Sequence, residues 1–292
     1  VFAVIFLAKS MVKEILSGLF LALAIYLVMF NTSALGTEKE FLYWYTANIN
    51  YALGTALACI TLGIAIRLKN EKGLKKSRNY AKIGAIVGFF ASGVSLQVAS
   101  FNCSWLLLML VLCYDEVLEK KIVMVPFGGA FLGALINACA PGYRSRMDID
   151  HGEVAYGVTD LLRDTLICWK EEGGKVLENN FFVILLVVVF AVFYIYKVKI
   201  FSKGISLWQI LLMFPAMFLI QYFCALPVVL GYQSSSLMYS RTICTYELLT
   251  KLTLLFLVMS LAQLLRGYKK IPVIVLCGIT VVLMFGIIFK GN

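Results

Sequence analysis

The chain has little of what a water-soluble protein uses to face its solvent. Only 14% of its 292 residues are charged, one is histidine and five are proline. A soluble domain carries about a quarter of its residues as charged side chains. Here 61% of the residues are hydrophobic, and they occur in long blocks. This composition excludes an ordinary soluble domain and indicates that lipid is the solvent for most of the chain.

Two further absences narrow the class of protein. None of the eight cysteines lies in a CxxC or Cys/His pattern, so no metal site is predicted, and most cysteines fit as small apolar residues in helices. The net charge of +10 raises the question of nucleic acid, whose binders cluster basic residues on a polar face. Here short basic runs separate the apolar blocks, as in membrane loops. We expect membrane lipids, and no nucleic acid, as partners.

Nine apolar blocks reach or approach the roughly 20 residues that a spanning helix needs. They predict an all-α fold, a polytopic transmembrane bundle of about nine helices that forms one domain over residues 1–292. The fourth block is the weakest, because it is short and follows a tight turn predicted at 100–103. The predicted spans are 15–30, 47–66, 83–100, 105–113 with its flanks, 122–140, 181–196, 207–230, 242–265 and 271–289.

The first eight residues are apolar but too few to span a bilayer. No basic segment precedes them and no small-residue cleavage site follows, so they do not fit a signal peptide. We interpret them as the end of a helix that begins before this numbering. An N-terminal portion of the protein is therefore expected to be missing from the sequence.

The positive charges orient the bundle. If the basic loop 67–82 is cytoplasmic, alternation of the spans places most of the 26 basic residues on that side, as the positive-inside rule requires. The segments 31–46, 141–180 and 231–241 then lie outside. The longest, 141–180, holds half of the acidic residues and the only histidine. Long structured loops on one face often carry function, so the working face is predicted to be extracytoplasmic.

Within that external loop, residues 154–169 have apolar side chains at helical spacing. The spacing predicts an amphipathic helix that lies on the membrane surface or caps the bundle. Its apolar positions are Val154, Val158, Leu161, Leu162, Thr165 and Cys168.

Polar stretches interrupt the apolar blocks at the predicted external end, where side chains entering the bilayer need partners. The first stretch is 41–54. Trp44 suits an aromatic belt at the membrane interface. The amides of Asn48 and Asn50, together with Tyr51, are harder to explain as anchors. We interpret them as the lining of a cavity.

The next two stretches carry an amide and a pair of arginines. Gln97 lies in 92–102, where helix–helix hydrogen bonding and a polar cavity explain it equally well. Arg144 and Arg146 follow a Pro-Gly turn after the fifth span. They suit bidentate binding of a phosphate, or they extend to the lipid headgroups as membrane anchors. Arg241, from another external loop, is the third candidate for the same anion.

Two charged residues lie deeper in the predicted eighth span. Glu247 and Lys251 are spaced i, i+4, which predicts an intramembrane ion pair. Because the two charges neutralise one another, we interpret the pair as structural.

The sequences YWYTANINYALG, SGVSLQVAS and APGYRSR occur at the three polar stretches. In order and spacing they resemble the W-x-t-G-x-x-N-Y, Gly/Ser-rich and A-P-G-N-x-x-R signatures of an uncharacterised bacterial family of polytopic membrane proteins related to GT-C glycosyltransferases. The resemblance covers roughly residues 42–146. The matched positions are Trp44, Asn50 and Tyr51 in the first, Gln97 in the second, and Pro141, Gly142 and Arg146 in the third.

The resemblance implies a membrane glycosyltransferase that uses a polyprenyl-phosphate-linked sugar on the outer face of the bacterial cytoplasmic membrane, for modification of a cell-envelope glycan. The lipid-linked sugar is a substrate, and no cofactor is implied. The chain departs from the signatures in three places. Ala47 stands where the family has Gly, Tyr143 where it has Asn, and Gln97 where an acid is common.

Transfer of a sugar from a lipid phosphate needs positive charge at the leaving group, and Arg146, then Arg144 and Arg241, are the candidates. It also needs a base for the acceptor hydroxyl. GT-C enzymes carry that acid in the first external loop, ahead of the first residue here. No catalytic residue is therefore assigned. The acidic candidates within this chain are Glu38, Glu40, Asp148 and Asp150.

Two other classes of function use the same features. A transporter or flippase for lipid-linked sugars needs the polar mouth and the arginines but performs no chemistry. A non-catalytic scaffold subunit that binds a membrane protein partner is consistent with a missing catalytic base. Whether the protein is an enzyme therefore stays open at the level of sequence.

Overall fold

The fold is known from a computed structural model, which describes residues 1–12, 18, 21–26, 48–70, 74–112, 117–140, 156–200, 204–235, 237 and 240–267. All regular structure among these residues is helical, which confirms the predicted all-α fold. Helices satisfy their backbone hydrogen bonds internally, as a lipid environment requires.

The helices follow the order of the predicted apolar blocks. A π-helical turn, Asn48–Leu53, leads directly into α2, and a short helical stretch lies at 21–26. The helices are α1 Phe2–Met11, α2 Gly54–Asn70, α3 Leu74–Val94, α4 Leu96–Leu112, α5 Val117–Ala138, α6 Val158–Glu178, α7 Asn180–Ile195, α8 Leu207–Tyr232 and α9 Ser240–Gly267.

Among the described residues, four helices are long and apolar enough to cross a membrane. The pair α6 and α7, bent by 71°, makes a fifth if it forms one span. The protein is therefore of the integral membrane class, while the count of about nine spans stays a prediction. The predicted span 271–289 and most of 15–30 lie outside the described residues. The four spans are Asn50–Asn70, Lys121–Ala138, Leu207–Tyr232 and Thr242–Arg266.

The boundary between the third and fourth predicted spans is wrong. The structure has no turn at 100–103, where the chain is helical; the break comes earlier, at Ser95. Asn102 is only 2% exposed, so the amide that suggested a turn lies on a buried side of α4. Ser95 separates α3 from α4, and its carbonyl accepts the hydrogen bond of Ala99 N–H at 2.8 Å.

The amphipathic helix is confirmed in kind but has different limits. The sequence predicts it over 154–169, whereas α6 begins at Val158 and ends at Glu178. Thr165 and Cys168 are buried as expected, but Val158 and Leu162 are 73% and 48% exposed. The reason is that α6 packs on α8 and α9 along a narrower face. That face consists of Thr165, Cys168, Glu172 and Val176.

Polar contacts hold one end of the bundle together. Arg67, at the end of α2, donates a hydrogen bond from Nε to Ser10 Oγ on α1 at 2.9 Å. Asn70 Nδ2 donates to the carbonyl of Ile200 at 2.7 Å, and the N–H of Ile200 donates to Gln263 Oε1 on α9 at 2.8 Å. We call this the basic end. It corresponds to the side that the charge pattern predicts to be cytoplasmic.

Helices α3 and α5 approach closely through glycines spaced four residues apart. Gly84 and Gly88 lie on α3, and Gly129 and Gly133 lie on α5. A Cβ atom at Gly129 would overlap the main-chain carbonyl of Ala85, and one at Gly133 would overlap the α3 main chain in the same way. Small residues at this spacing let membrane helices approach, because packing replaces the hydrophobic effect within lipid.

We expect Gly129→Val to destabilise the protein by about 1–3 kcal/mol, because the added side chain must push α3 and α5 apart. The matched control is Gly128→Val on the same helix, since a Cβ atom there meets nothing within 4 Å. Thermal unfolding of both purified variants in the same detergent measures the difference. Equal losses in the two variants would mean that the helices do not meet at Gly129.

We also expect the basic end to be cytoplasmic and α6 to be extracytoplasmic, because of the positive-inside rule. Cysteine replaces Lys75 at the start of α3, or Glu171 on α6; both side chains are exposed. The native cysteines are replaced first. An impermeant maleimide should label the position-171 variant in intact cells and the position-75 variant only after lysis. The reverse pattern would invert the topology.

Candidate functional site

A pocket of about 170 Å³ opens at the end of the bundle opposite the basic end. This volume is several times the roughly 30 Å³ that one water molecule occupies in the liquid. The π-helical turn ahead of α2 and the helices α3, α4, α5, α8 and α9 contribute to its wall, at the end where the charge pattern predicts the extracytoplasmic face. The lining residues are Asn50, Tyr51, Val94, Ser95, Leu96, Gln97, Asn137, Pro227, Val228, Gly231, Tyr232 and Thr242.

The first wall of the pocket is the π-helical turn ahead of α2. The turn carries Asn50 and Tyr51, which both line the pocket. Gly54 allows the turn to lie against the end of α3, since a Cβ atom there would come within 2.9 Å of Val94 Cγ2. Single π-helical turns change which residues share a face and are often found at functional sites.

The second wall is the break between α3 and α4. Gln97 is 2% exposed, and its Nε2 donates a hydrogen bond to the carbonyl of Thr242 at 3.3 Å. Its Oε1 is buried and accepts no hydrogen bond within the described part of the chain. A buried amide oxygen without a donor is costly. This oxygen is therefore an unsatisfied buried acceptor beside the pocket.

The remaining walls come from helix ends that carry no predicted site residue. Asn137, at the end of α5, donates from Nδ2 to the carbonyl of Ser92 at 3.3 Å, which fixes the amide beside the α3–α4 break. Pro227, Gly231 and Tyr232 close the pocket from α8. A proline and a glycine near the end of an apolar helix were the available signal for this wall.

The structure brings three of the predicted site residues together, since Asn50, Tyr51 and Gln97 all line the pocket. Asn48 begins the π-helical turn, and Arg241 is in the first turn of α9, directly before a lining residue. The other predicted site residues, Trp44, Arg144 and Arg146, lie outside the described residues.

The described lining contains amides, hydroxyls and apolar groups, with no charged side chain. In the described residues there is also no group of three or more His, Cys, Asp or Glu side chains that could hold a metal ion. The acidic candidates for the base lie outside the described residues, so the catalytic base stays unassigned. They are Glu38, Glu40, Asp148 and Asp150.

The predicted intramembrane ion pair is confirmed. Glu247 Oε1 and Lys251 Nζ are 2.7 Å apart, and the two side chains are 2% and 0% exposed. Lys251 Nζ also lies 5.6 Å from the centroid of the Phe182 ring on α7. Neither charged residue lines the pocket, which is consistent with a structural role between α9 and α7.

We expect Lys251→Met to destabilise the protein by about 3–5 kcal/mol, because it leaves the Glu247 carboxylate buried without its partner charge. The double variant Lys251→Met, Glu247→Gln should recover much of that loss, since no buried charge remains. Thermal unfolding in detergent provides the comparison. A double variant as unstable as the single one would show that the packing of the lysine chain matters more than its charge.

Uncharged amides and hydroxyls, with two tyrosines among the lining residues, are groups that hydrogen-bond to a hydroxyl-bearing ligand and pack against its apolar faces. The pocket is thus chemically suited to a neutral polar group. Comparison of the chain with protein-family models, with curated proteins and with solved structures finds no match.

Proposed function

We propose that the chain is a glycosyltransferase-like protein of the bacterial cytoplasmic membrane that takes a polyprenyl-phosphate-linked sugar at its extracytoplasmic face. One observation carries the proposal: two segments far apart in the sequence, which resemble signatures of a GT-C-related family, line one pocket. The first supplies Asn50 and Tyr51, and the second supplies Gln97. The third, APGYRSR, begins three residues after the lining residue Asn137.

The composition of the pocket supports a division of the ligand into two parts. The neutral lining suits the sugar, whose hydroxyls both donate and accept hydrogen bonds, and the buried Oε1 of Gln97 is an acceptor for one of them. The phosphate needs positive charge, for which Arg146, Arg144 and Arg241 are our candidates. A guanidinium binds two phosphate oxygens at once.

The proposed reaction is a displacement at the anomeric carbon. An acceptor hydroxyl attacks this carbon, its oxygen forms the new glycosidic bond, and the bond to the phosphate oxygen breaks with its electron pair going to the lipid phosphate. The hydroxyl proton passes to a carboxylate base. Arginine stabilises the charge that develops on the leaving phosphate, and a base outside the described residues takes the proton.

A transporter or flippase for lipid-linked sugars is the second candidate, and one feature of the helices favours it. Pro227 lies inside α8 and lines the pocket. Prolines that interrupt spanning helices near a substrate site are typical of transporters. This function shares the ligand with the first but lacks sugar transfer. A scaffold subunit with a membrane protein partner would bind no lipid-linked sugar.

We expect Arg146→Lys to weaken binding of polyprenyl phosphate about tenfold to a hundredfold, and Arg146→Ala to weaken it more. A desolvated charge-assisted contact contributes about 1.5–3 kcal/mol, and lysine replaces a two-point contact with one. The matched control is Arg163→Lys on α6, where the arginine is 65% exposed and pairs with Asp160 and Asp164. Binding is measured with purified protein at matched stability.

The same assay with polyprenyl phosphate carrying a hexose tests the pocket. Gln97→Leu should reduce the gain in affinity that the sugar provides and leave binding of the bare carrier unchanged. The control is Gln221→Leu, because Gln221 is a buried glutamine of α8 outside the pocket lining.

An Arg146→Lys variant that binds like wild type would make Arg146 a membrane anchor, since lysine reaches the headgroups equally well. Arg241 would then be the next candidate.

A further inference from the structure

Helix α6 has three distinct faces. One face packs on α8 and α9 through Thr165, Cys168, Glu172 and Val176, which are buried. Next to it around the helix runs a row of large apolar side chains that no other part of the described chain covers. These are Val158, Leu162, Leu166 and Leu177, at 73%, 48%, 54% and 55% exposure. At about 100° per residue they lie on one side of the helix.

The third face, across the helix from this row, is charged. Glu171 and Glu178 are exposed there together with Ile167, and Lys175 borders this face on the side of the bundle. Lys170 is exposed between the apolar row and this charged face, at the position from which a lysine extends to lipid headgroups. The faces therefore follow the order bundle, apolar row, basic border and acidic surface around the helix. A helix with an apolar face beside a charged one is the type that lies at a membrane interface.

The apolar row continues onto a surface that faces outward from the bundle. Trp169 of α6 packs edge-to-face on Phe218 of α8 at 5.8 Å, and Tyr222 Oη donates to the carbonyl of Leu162 at 3.2 Å. Around these contacts α8 has its own exposed apolar side chains. These are Phe214, Phe218, Leu219 and Phe223. Since α8 is one of the four helices fit to cross the membrane, its outward apolar surface faces lipid.

The direction in which α7 runs shows which end of the bundle α6 lies near. The segment after α7 reaches the basic end, where Ile200 binds Asn70 and Gln263. α7 itself is apolar throughout and turns away from α6 by 71°. α7 therefore runs from α6 through the bilayer to the basic end, and α6 lies across the direction of the spans nearer the pocket end.

We infer that α6 is an interfacial helix whose row Val158, Leu162, Leu166 and Leu177 lies among the lipid acyl chains of the leaflet at the pocket end. Its acidic face meets water, and Lys170 meets the headgroup phosphates. The inference does not depend on the proposed function. It gives α6 both roles that the sequence left open, because one face covers the bundle while the neighbouring face enters the membrane.

Fluorescence quenching in vesicles tests this placement. Single cysteines replace Leu162 or Leu166 in the apolar row, and Glu171 or Glu178 on the acidic face, in full-length protein without native cysteines. Each carries an NBD fluorophore in vesicles of phosphatidylethanolamine and phosphatidylglycerol. Only variants that elute as one species and keep the helical circular dichroism of wild type are used. Phospholipid with an acyl-chain nitroxide quenches probes within lipid, and iodide on both sides quenches probes in water.

We expect nitroxide lipid to quench the probes at 162 and 166 about twofold or more above those at 171 and 178, with iodide showing the opposite order. Iodide quenching of the apolar row as strong as that of the acidic face would overturn the inference, since α6 would then stand in water. Shielding of the apolar row from both quenchers would also overturn it. A second protein copy, and not lipid, would then cover the row.

Discussion

Lipid supplies no hydrogen-bond partner, and this constraint governs how the described part of the chain arranges most of its polar groups. The backbone satisfies it because all regular structure among the described residues is helical. Side chains satisfy it by collecting at the two ends of the bundle. At the basic end, polar groups such as Arg67 and Asn70 bind one another or main-chain carbonyls. At the pocket end they surround a recess. Among the described residues, Glu247 and Lys251 lie within the bundle as an ion pair, since a lone charge there would be much more costly.

The glycine contact between α3 and α5 is one reason that the pocket forms where it does. Glycines at 84, 88, 129 and 133 let the two backbones run close together. The ends of α3 and α5 consequently meet, and Asn137 reaches the carbonyl of Ser92. Three residues after Ser92 the chain breaks at Ser95 and turns back as α4, which brings Gln97 to the same place. The close packing of α3 and α5 therefore helps to bring together the helix ends that line the pocket.

Much of this fold could be predicted because a helix that spans a membrane needs a long run of apolar residues, which is visible in the sequence. The spans around α2, α5, α8 and α9 follow from apolar length, and the Glu247–Lys251 pair follows from i, i+4 spacing. The break at Ser95 could not, since a polar run marks a buried helix face as readily as a turn, and Asn102 shows the former. The exposed face of α6 was misjudged because helical periodicity identifies apolar positions without saying whether protein or lipid covers them.

Some of the residues that line the pocket could be predicted from the sequence and others could not. Asn50, Tyr51 and Gln97 could be selected beforehand, because amides near the ends of apolar helices need partners. Thr242 and Tyr232 could not, since they are ordinary residues whose significance comes from contact with a segment more than a hundred positions earlier. The hydrogen bond from Gln97 to the Thr242 carbonyl joins these two halves of the chain. It also fixes the amide so that Nε2 is used within the protein and Oε1 is left as the acceptor. The shape of this pocket therefore depends on the second half of the chain as much as on the first.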